Sequence, residues 1–187
     1  MPVEVGAVAI ARLLGKLLDE LYDLGKGMFS SQLARLNREN VRRKLVKRAS
    51  ACEKVKTIWQ LEKEVRIPDF YYPSRIKFSP TITKEVSGLN HFPLKGNIVI
   101  EGTIGQGKSI FLRYLCAQEL RGKGTRRIPI FVELRLVEPI GGLQGAIIQT
   151  LDEYGFDVTE ELWNFYSESG RFVLLLDAFD EIPAECI

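Results

Sequence analysis

Apolar positions Ile10, Leu13, Leu14, Leu17, Leu18, Leu21 and Leu24 recur at helical spacing, with Arg12, Lys16, Asp19, Glu20 and Asp23 mostly between them. The pattern predicts an amphipathic helix over residues 4–25, closed by Gly25 and Gly27. Ser30 and Ser31 offer caps for a second helical region running to about Val65, with Leu33, Leu36, Val41, Leu45, Ala49, Val55 and Ile58 or Trp59 as its apolar positions. Pro68, Pro73 and Pro80 then stop helix formation between Ile67 and Thr83, around an aromatic cluster at Phe70, Tyr71 and Tyr72. Beyond this the pattern changes to short apolar runs alternating with helical stretches. Residues 97–101 and 128–134 read as strands, and 110–120 as a helix. A further helix opens at Gly141 and Gly142 and runs through Ile147, Ile148, Leu151 and Tyr154. Thr159 caps a short one carrying Leu162, Trp163 and Tyr166. The continuous run Phe172–Asp177 has the character of a strand buried on both faces of a parallel sheet. Repeated β-to-α alternation predicts an α/β fold with a parallel sheet flanked by helices, preceded by an α-helical region.

Three segments follow: 1–66, helical; 67–94, a linker rich in proline and aromatics; and 95–187, the α/β part. With 187 residues and 45% hydrophobic content the chain has enough apolar mass for a real core. The net charge of +2 conceals an asymmetry, because residues 101–187 carry 8 basic and 14 acidic side chains. Arg35, Arg38, Arg42, Arg43, Lys44, Lys47, Arg48, Lys54 and Lys56 make the stretch 35–56 strongly basic. Such a stripe is a solvated helix face, a surface meeting the acidic half of the same chain, or a site for nucleic-acid phosphates.

Cys52, Cys116 and Cys186 are odd in number and form no CxxC or Cys/His cluster, which suggests neither a disulfide framework nor a zinc site and points to a reducing, cytoplasmic setting. No apolar run is long enough for a membrane span. Glu4, Arg12 and Lys16 interrupt the apolar start too often for a signal peptide, and the mixed charge of that helix favours packing on a neighbouring helix over a membrane surface. His91, the single histidine, falls in a loop and reads as an ordinary surface residue.

Chemistry concentrates in Gly102-Thr103-Ile104-Gly105-Gln106-Gly107-Lys108-Ser109, which fits G-x-x-x-x-G-K-[ST] between an expected strand and an expected helix. Glycines at 102, 105 and 107 let the backbone turn its N–H groups inward, and the helix from Ile110 presents its positive end to an anion. Residues 102–110 are therefore the expected nucleotide-binding stretch, with Lys108 on the β- and γ-phosphates of ATP or ADP and Ser109 as a Mg²⁺ ligand. Asp177, closing an apolar strand some 70 residues later, is the expected second holder of Mg²⁺. Upstream aromatics such as Tyr71 and Tyr72 are either a wall of an adenine pocket or a packed linker.

The loop, the strand Ile128–Arg135 and the run Leu174-Leu175-Leu176-Asp177-Ala178-Phe179-Asp180-Glu181 together resemble the NACHT family of signal-transduction P-loop NTPases. A small residue after the metal-binding aspartate and an acidic pair soon after carry the resemblance, over about residues 95–183. Trp59–Lys63 and Phe70-Tyr71-Tyr72-Pro73 look, more loosely, like the segment preceding the NTPase in bacterial NACHT proteins, many of which serve in antiphage defence. The resemblance implies a nucleotide switch that self-associates through its NTPase domain, with Asp180 or Glu181 orienting or deprotonating the attacking water. Hydrolysis should be slow, because Ala178 stands where many other ATPases place a catalytic glutamate. Ile104 departs from the proline often found at its place in the family's loop. The family also places a further strand between the strand that ends in the metal-binding aspartate, its Walker B element, and the phosphate-loop strand. That strand would follow Ile187, so the chain is expected to be a truncated piece whose sheet has a gap at its centre. Two other readings compete: a helical interaction or nucleic-acid-binding module whose nucleotide site is regulatory or vestigial, and a P-loop ATPase or kinase of another family. The spacing from Asp177 to Glu181 argues against the last.

Overall fold

A computed structural model describes residues 2–27, 37–57, 60–93, 96–122, 125–138 and 140–182. The proposed caps Ser30 and Ser31, the apolar positions Leu33, Leu36, Ile58 and Trp59, and Cys186 lie outside the described residues. Helix α1 spans Pro2–Gly25 and buries Leu14, Leu17, Leu18 and Leu21. Each such leucine contributes roughly 1.5–3 kcal/mol on leaving water. Helix α2 spans Arg38–Cys52 and begins where the Asn37 side chain accepts from the Asn40 backbone N–H at 3.0 Å. It buries Val41, Leu45 and Cys52 and packs on α1, with the Arg38 guanidinium bonded to Asp19 at 2.8 Å and set over the Tyr22 ring. The basic stripe is thus partly spent at home: Arg38 meets Asp19, Arg42 meets Glu39, Arg43 donates to Asn40, and Lys44 reaches the Asp152 carbonyl in the acidic half.

The second helix does not continue to Val65. After Cys52 the chain forms an antiparallel hairpin of β1 (Lys54–Thr57) and β2 (Gln60–Arg66), with Lys54 opposite Arg66. Lys54-Val55-Lys56-Thr57 alternates charged and β-branched residues, a period of two that outweighs the isolated helical spacings read there. The linker is also more structured than its prolines suggest. Pro68 sits in the first turn of a four-residue helix α3 (Ile67–Phe70), where a missing N–H costs nothing. Pro80 lies in the turn between β3 (Ser74–Ser79) and β4 (Ile82–Val86), a second antiparallel hairpin. The helical reading of the second region up to Val65 is thus corrected to a hairpin from Lys54, and the linker carries a short helix and a second hairpin.

Helix α4 (Lys108–Leu120) lies against β5 (Ile128–Glu133) and β6 (Phe172–Asp177), which pair in parallel from Ile128 opposite Phe172 to Glu133 opposite Asp177. Helices α5 (Gly142–Glu153) and α6 (Glu160–Glu168) connect the two strands. Gly141 starts α5 at a φ of 91°, which only glycine adopts without strain, and the Thr159 hydroxyl caps α6 by accepting from Leu162 N at 3.3 Å. Fully buried Glu119 accepts from Thr125 N, Thr125 Oγ1 and Arg127 N at 2.8, 2.6 and 2.7 Å, pinning the chain between α4 and β5. One apolar core runs from Leu14 and Leu45 in the helical region through Cys116 and Leu120 to Phe131 and Tyr154.

Two expectations about strands need correction. Asn97–Glu101 is not a strand: among the described residues it has no ladder partner, and Val99 is 80% exposed. Strand β6 is not buried on both faces, since Leu174 is 45% exposed. A single cause covers both. A groove of about 650 Å³ separates residues 97–100 from β6, with Ile98, Val99, Leu174 and Leu176 among its lining. Backbone hydrogen bonds of a ladder need a neighbour at about 4.8 Å, and among the described residues no ladder joins the two segments. The result is still a mixed fold carrying a small parallel sheet, in keeping with part of a P-loop NTPase.

Candidate functional site

Helix α4 begins at Lys108, directly after Gly107, whose φ of 78° is left-handed, as is that of Gly105 at 83°. These two glycines fold residues 102–107 into a compact loop over the helix start. Within it the Gln106 side chain accepts from Thr103 N at 2.9 Å, and a Cβ at Gly102 would meet that same Gln106 oxygen at 2.6 Å. The first helical backbone bond inside α4 is Phe111 N to Gly107 O at 2.9 Å, so the N–H groups of Lys108, Ser109 and Ile110 have no acceptor within the helix. Lys108 folds back on its own loop, donating to the Gly102 carbonyl at 2.9 Å and toward Thr103 O at 3.5 Å. A cation and a row of N–H groups thus share one end of α4, the arrangement that binds phosphate. Ile104 projects at the loop tip, 96% exposed.

Asp177 ends β6 and is 7% exposed. The Ser109 hydroxyl donates to its Oδ1 at 3.0 Å. Two neighbouring oxygens on an octahedral Mg²⁺, each about 2.1 Å from the metal, stand about 3 Å apart. This hard-oxygen pair therefore fits Mg²⁺, which needs only one or two protein oxygens when phosphates and water complete its shell. Among the described residues no cluster of three or more His, Cys, Asp or Glu offers a fuller metal cage.

Ala178 adopts φ 58° and ψ 47°, a left-handed conformation uncommon for a residue with a Cβ. It turns the chain sharply out of the strand into a short 3-10 turn, Phe179–Glu181, held by Glu181 N to Ala178 O at 3.1 Å. That turn separates the acidic pair. Asp180 lines the groove together with Lys108 and Asp177, whereas Glu181 is drawn outward to Arg135 at 3.9 Å. The structure brings Ser109 and Asp177 into contact, sets Lys108, Asp177 and Asp180 along one groove, and holds Glu181 toward Arg135. The groove itself is lined by β6 and residues 97–100 and not by the glycine loop, so it is a gap in the sheet beside the phosphate-binding end.

Sequence patterns did not single out the residues that tie this site together. Glu133, opposite Asp177 in the ladder, accepts from Arg113 on one carboxylate oxygen and from Arg135 at 2.6 Å on the other. Arg113 is one turn beyond Ser109 on α4, and its guanidinium also rests over the Phe131 ring at 4.9 Å. The phosphate-loop helix is consequently fastened to the strand ends twice, by Ser109 to Asp177 and by Arg113 to Glu133. The spacing of Ser109 and Arg113 was a readable signal, but a carboxylate partner 20 residues away was not. Tyr71 stacks on Tyr114 of α4 with ring centroids 4.5 Å apart and shares a 2.7 Å hydrogen bond with Ser74, while Tyr72 is 78% exposed. His91 is exposed, with Nδ1 at 3.0 Å from the Glu85 carbonyl.

Residues 97–186 match the family model of the NACHT domain, a P-loop NTPase family. No curated protein and no solved structure matches the chain. The matched segment is a nucleotide-binding NTPase module, and it contains every residue of the phosphate loop as well as Asp177, Asp180 and Glu181. Among the described residues no helix is long and apolar enough to cross a membrane.

Proposed function

We propose that the chain is an ATP- or ADP-operated switch of the NACHT signalling type, with slow hydrolysis and a role in antiphage defence. The observation that carries the reading is the 3.0 Å contact between Ser109 Oγ and Asp177 Oδ1 beneath the open N–H groups of α4. On nucleotide binding, Lys108 exchanges its bonds to Gly102 and Thr103 for phosphate oxygens, and the N–H groups at the start of α4 take the phosphate charge. Ser109 and Asp177 would hold Mg²⁺, whose charge would offset that of the phosphates. Of the acidic pair we assign the orienting of a water to Asp180, which lines the same groove as Lys108 and Asp177, while Glu181 faces Arg135. Ala178 supplies no carboxylate, which keeps turnover slow.

A route for the switch runs through the joint between the helical region and α4. Glu53, 8% exposed at its side chain, pairs with Arg66 of β2 and with Arg121, which ends α4. A shift of α4 on nucleotide exchange would act on that joint directly. Defence rests on the looser likeness at Phe70-Tyr71-Tyr72-Pro73, and self-association on the family likeness. The nucleic-acid reading draws less support, because Arg38 and Arg42 are engaged with carboxylates. Calorimetric titration with Mg-ATP tests the proposal: binding is expected, with a loss of about tenfold or more in Lys108→Ala, equivalent to at least about 1.4 kcal/mol. Equal affinity in the two proteins would refute the site.

A further inference from the structure

Cys52 ends α2 and Cys116 lies in the middle of α4, two turns beyond Ser109, yet the two sulfurs are 3.6 Å apart, with the Cys116 thiol donating to Cys52. Exposures are 1% and 0%. The surroundings are not those of inert core thiols. Arg48, one turn before Cys52, lies against the buried Tyr154 hydroxyl and close enough to Cys52 to interact with its charge. Arg48 and Arg113 favour negative charge on Cys52, while Glu53 opposes it. The Cys116 hydrogen bond, together with the two guanidinium groups, holds the Cys52 thiol below its ordinary value against the effect of burial. The same bond and complete burial push Cys116 well above. With the two sulfurs in contact, a thiolate formed at Cys52 has Cys116 in position to resolve it.

We propose that Cys52 and Cys116 form a redox site that a hydroperoxide oxidises to a disulfide, stapling α2 to the phosphate-loop helix. With hydrogen peroxide, the Cys52 thiolate attacks one oxygen, the O–O bond breaks, and the departing hydroxide takes up the proton that the Cys52 thiol gave up, leaving as water and giving Cys52 sulfenic acid. The Cys116 sulfur then attacks the Cys52 sulfur. An S–S bond forms, the S–O bond breaks, and the Cys116 proton departs with the hydroxyl as a second water. Two thiols lose two electrons and one peroxide gains them. The sulfurs must close from 3.6 Å to a bond of about 2.05 Å, a movement of about 1.5 Å. The site is independent of nucleotide chemistry and makes the joint between the helical region and α4 responsive to oxidants.

The test treats the whole protein with hydrogen peroxide and maps it by mass spectrometry without reduction. The expected result is a loss of about 2 Da and a linked peptide pair containing Cys52 and Cys116, reversed by dithiothreitol and formed faster at pH 8 than at pH 6. In Cys116→Ser, Cys52 is expected to accumulate as a sulfenic acid trapped by dimedone, and Cys186→Ser is expected to keep the link. The idea is overturned if the wild-type map shows Cys52 and Cys116 still alkylatable after denaturation while Cys186 has been oxidised, or if every link formed runs through Cys186. The wild-type map alone decides the matter, so a variant that fails to fold does not rescue the proposal.

Discussion

Ser109 donates a 3.0 Å hydrogen bond to Asp177 across 68 positions of sequence, and so joins the first turn of α4 to the end of β6. Asp177 is 7% exposed, which makes the loss of that donor costly. Ser109→Ala is expected to destabilise the nucleotide-free protein by roughly 1–3 kcal/mol. In an Asp177→Ala background the same substitution is expected to cost much less, since no buried carboxylate remains to be stranded. Urea denaturation of the four proteins measures the coupling, and strictly additive effects would contradict the contact.

Glu133 is held by two arginines of unequal worth. The Arg113 side chain is 24% exposed and that of Arg135 is 52% exposed, so water competes more for the second pair. Arg113→Met is expected to lower stability by about 1–3 kcal/mol and Arg135→Met by less than about 1 kcal/mol. Denaturant midpoints compare them. A larger loss for Arg135→Met would mean that the clamp between α4 and β5 is not the main fastening.

The left-handed backbone at Ala178, with φ 58°, yields a third expectation. A β-branched side chain suffers most in this region, so Ala178→Val is expected to cost about 1–2 kcal/mol and to disturb the turn that carries Asp180. Ala178→Gly relieves the strain but loosens the unfolded chain, leaving stability within about 1 kcal/mol of wild type. Thermal melts would show the order Gly above Val, and the reverse order would place the strain elsewhere.

Elements defined by near neighbours were legible in the sequence. Helices α1, α4, α5 and α6 and strands β5 and β6 lie where periodicity and caps put them. The phosphate loop was legible because eight consecutive residues encode its shape, and Asp177 because an apolar strand delivers it in the expected order. What escaped detection depends on distant partners. The hairpin Lys54–Arg66 was read as helix because Val55 and Ile58 or Trp59 continued a helical spacing, while the alternation that decides for a strand spans only four residues. Asn97–Glu101 has strand character but pairs with nothing among the described residues, and a local pattern carries no information about pairing. Cys52 and Cys116 were read as separate because 64 residues part them in the chain, although two packed helices bring them into contact. Glu133 carries no local signal of its role, because its partner Arg113 lies 20 residues away on α4.

The central claim is that one oxygen pair, Ser109 and Asp177, holds the Mg²⁺ of a bound nucleotide. The measurement that bears on it most directly is ATP affinity with Mg²⁺ and with chelator, in wild type and in Asp177→Asn. The account predicts that Mg²⁺ tightens binding in wild type, that Asp177→Asn loses most of this gain, and that both proteins bind metal-free ATP alike. An undiminished Mg²⁺ effect in Asp177→Asn would contradict it.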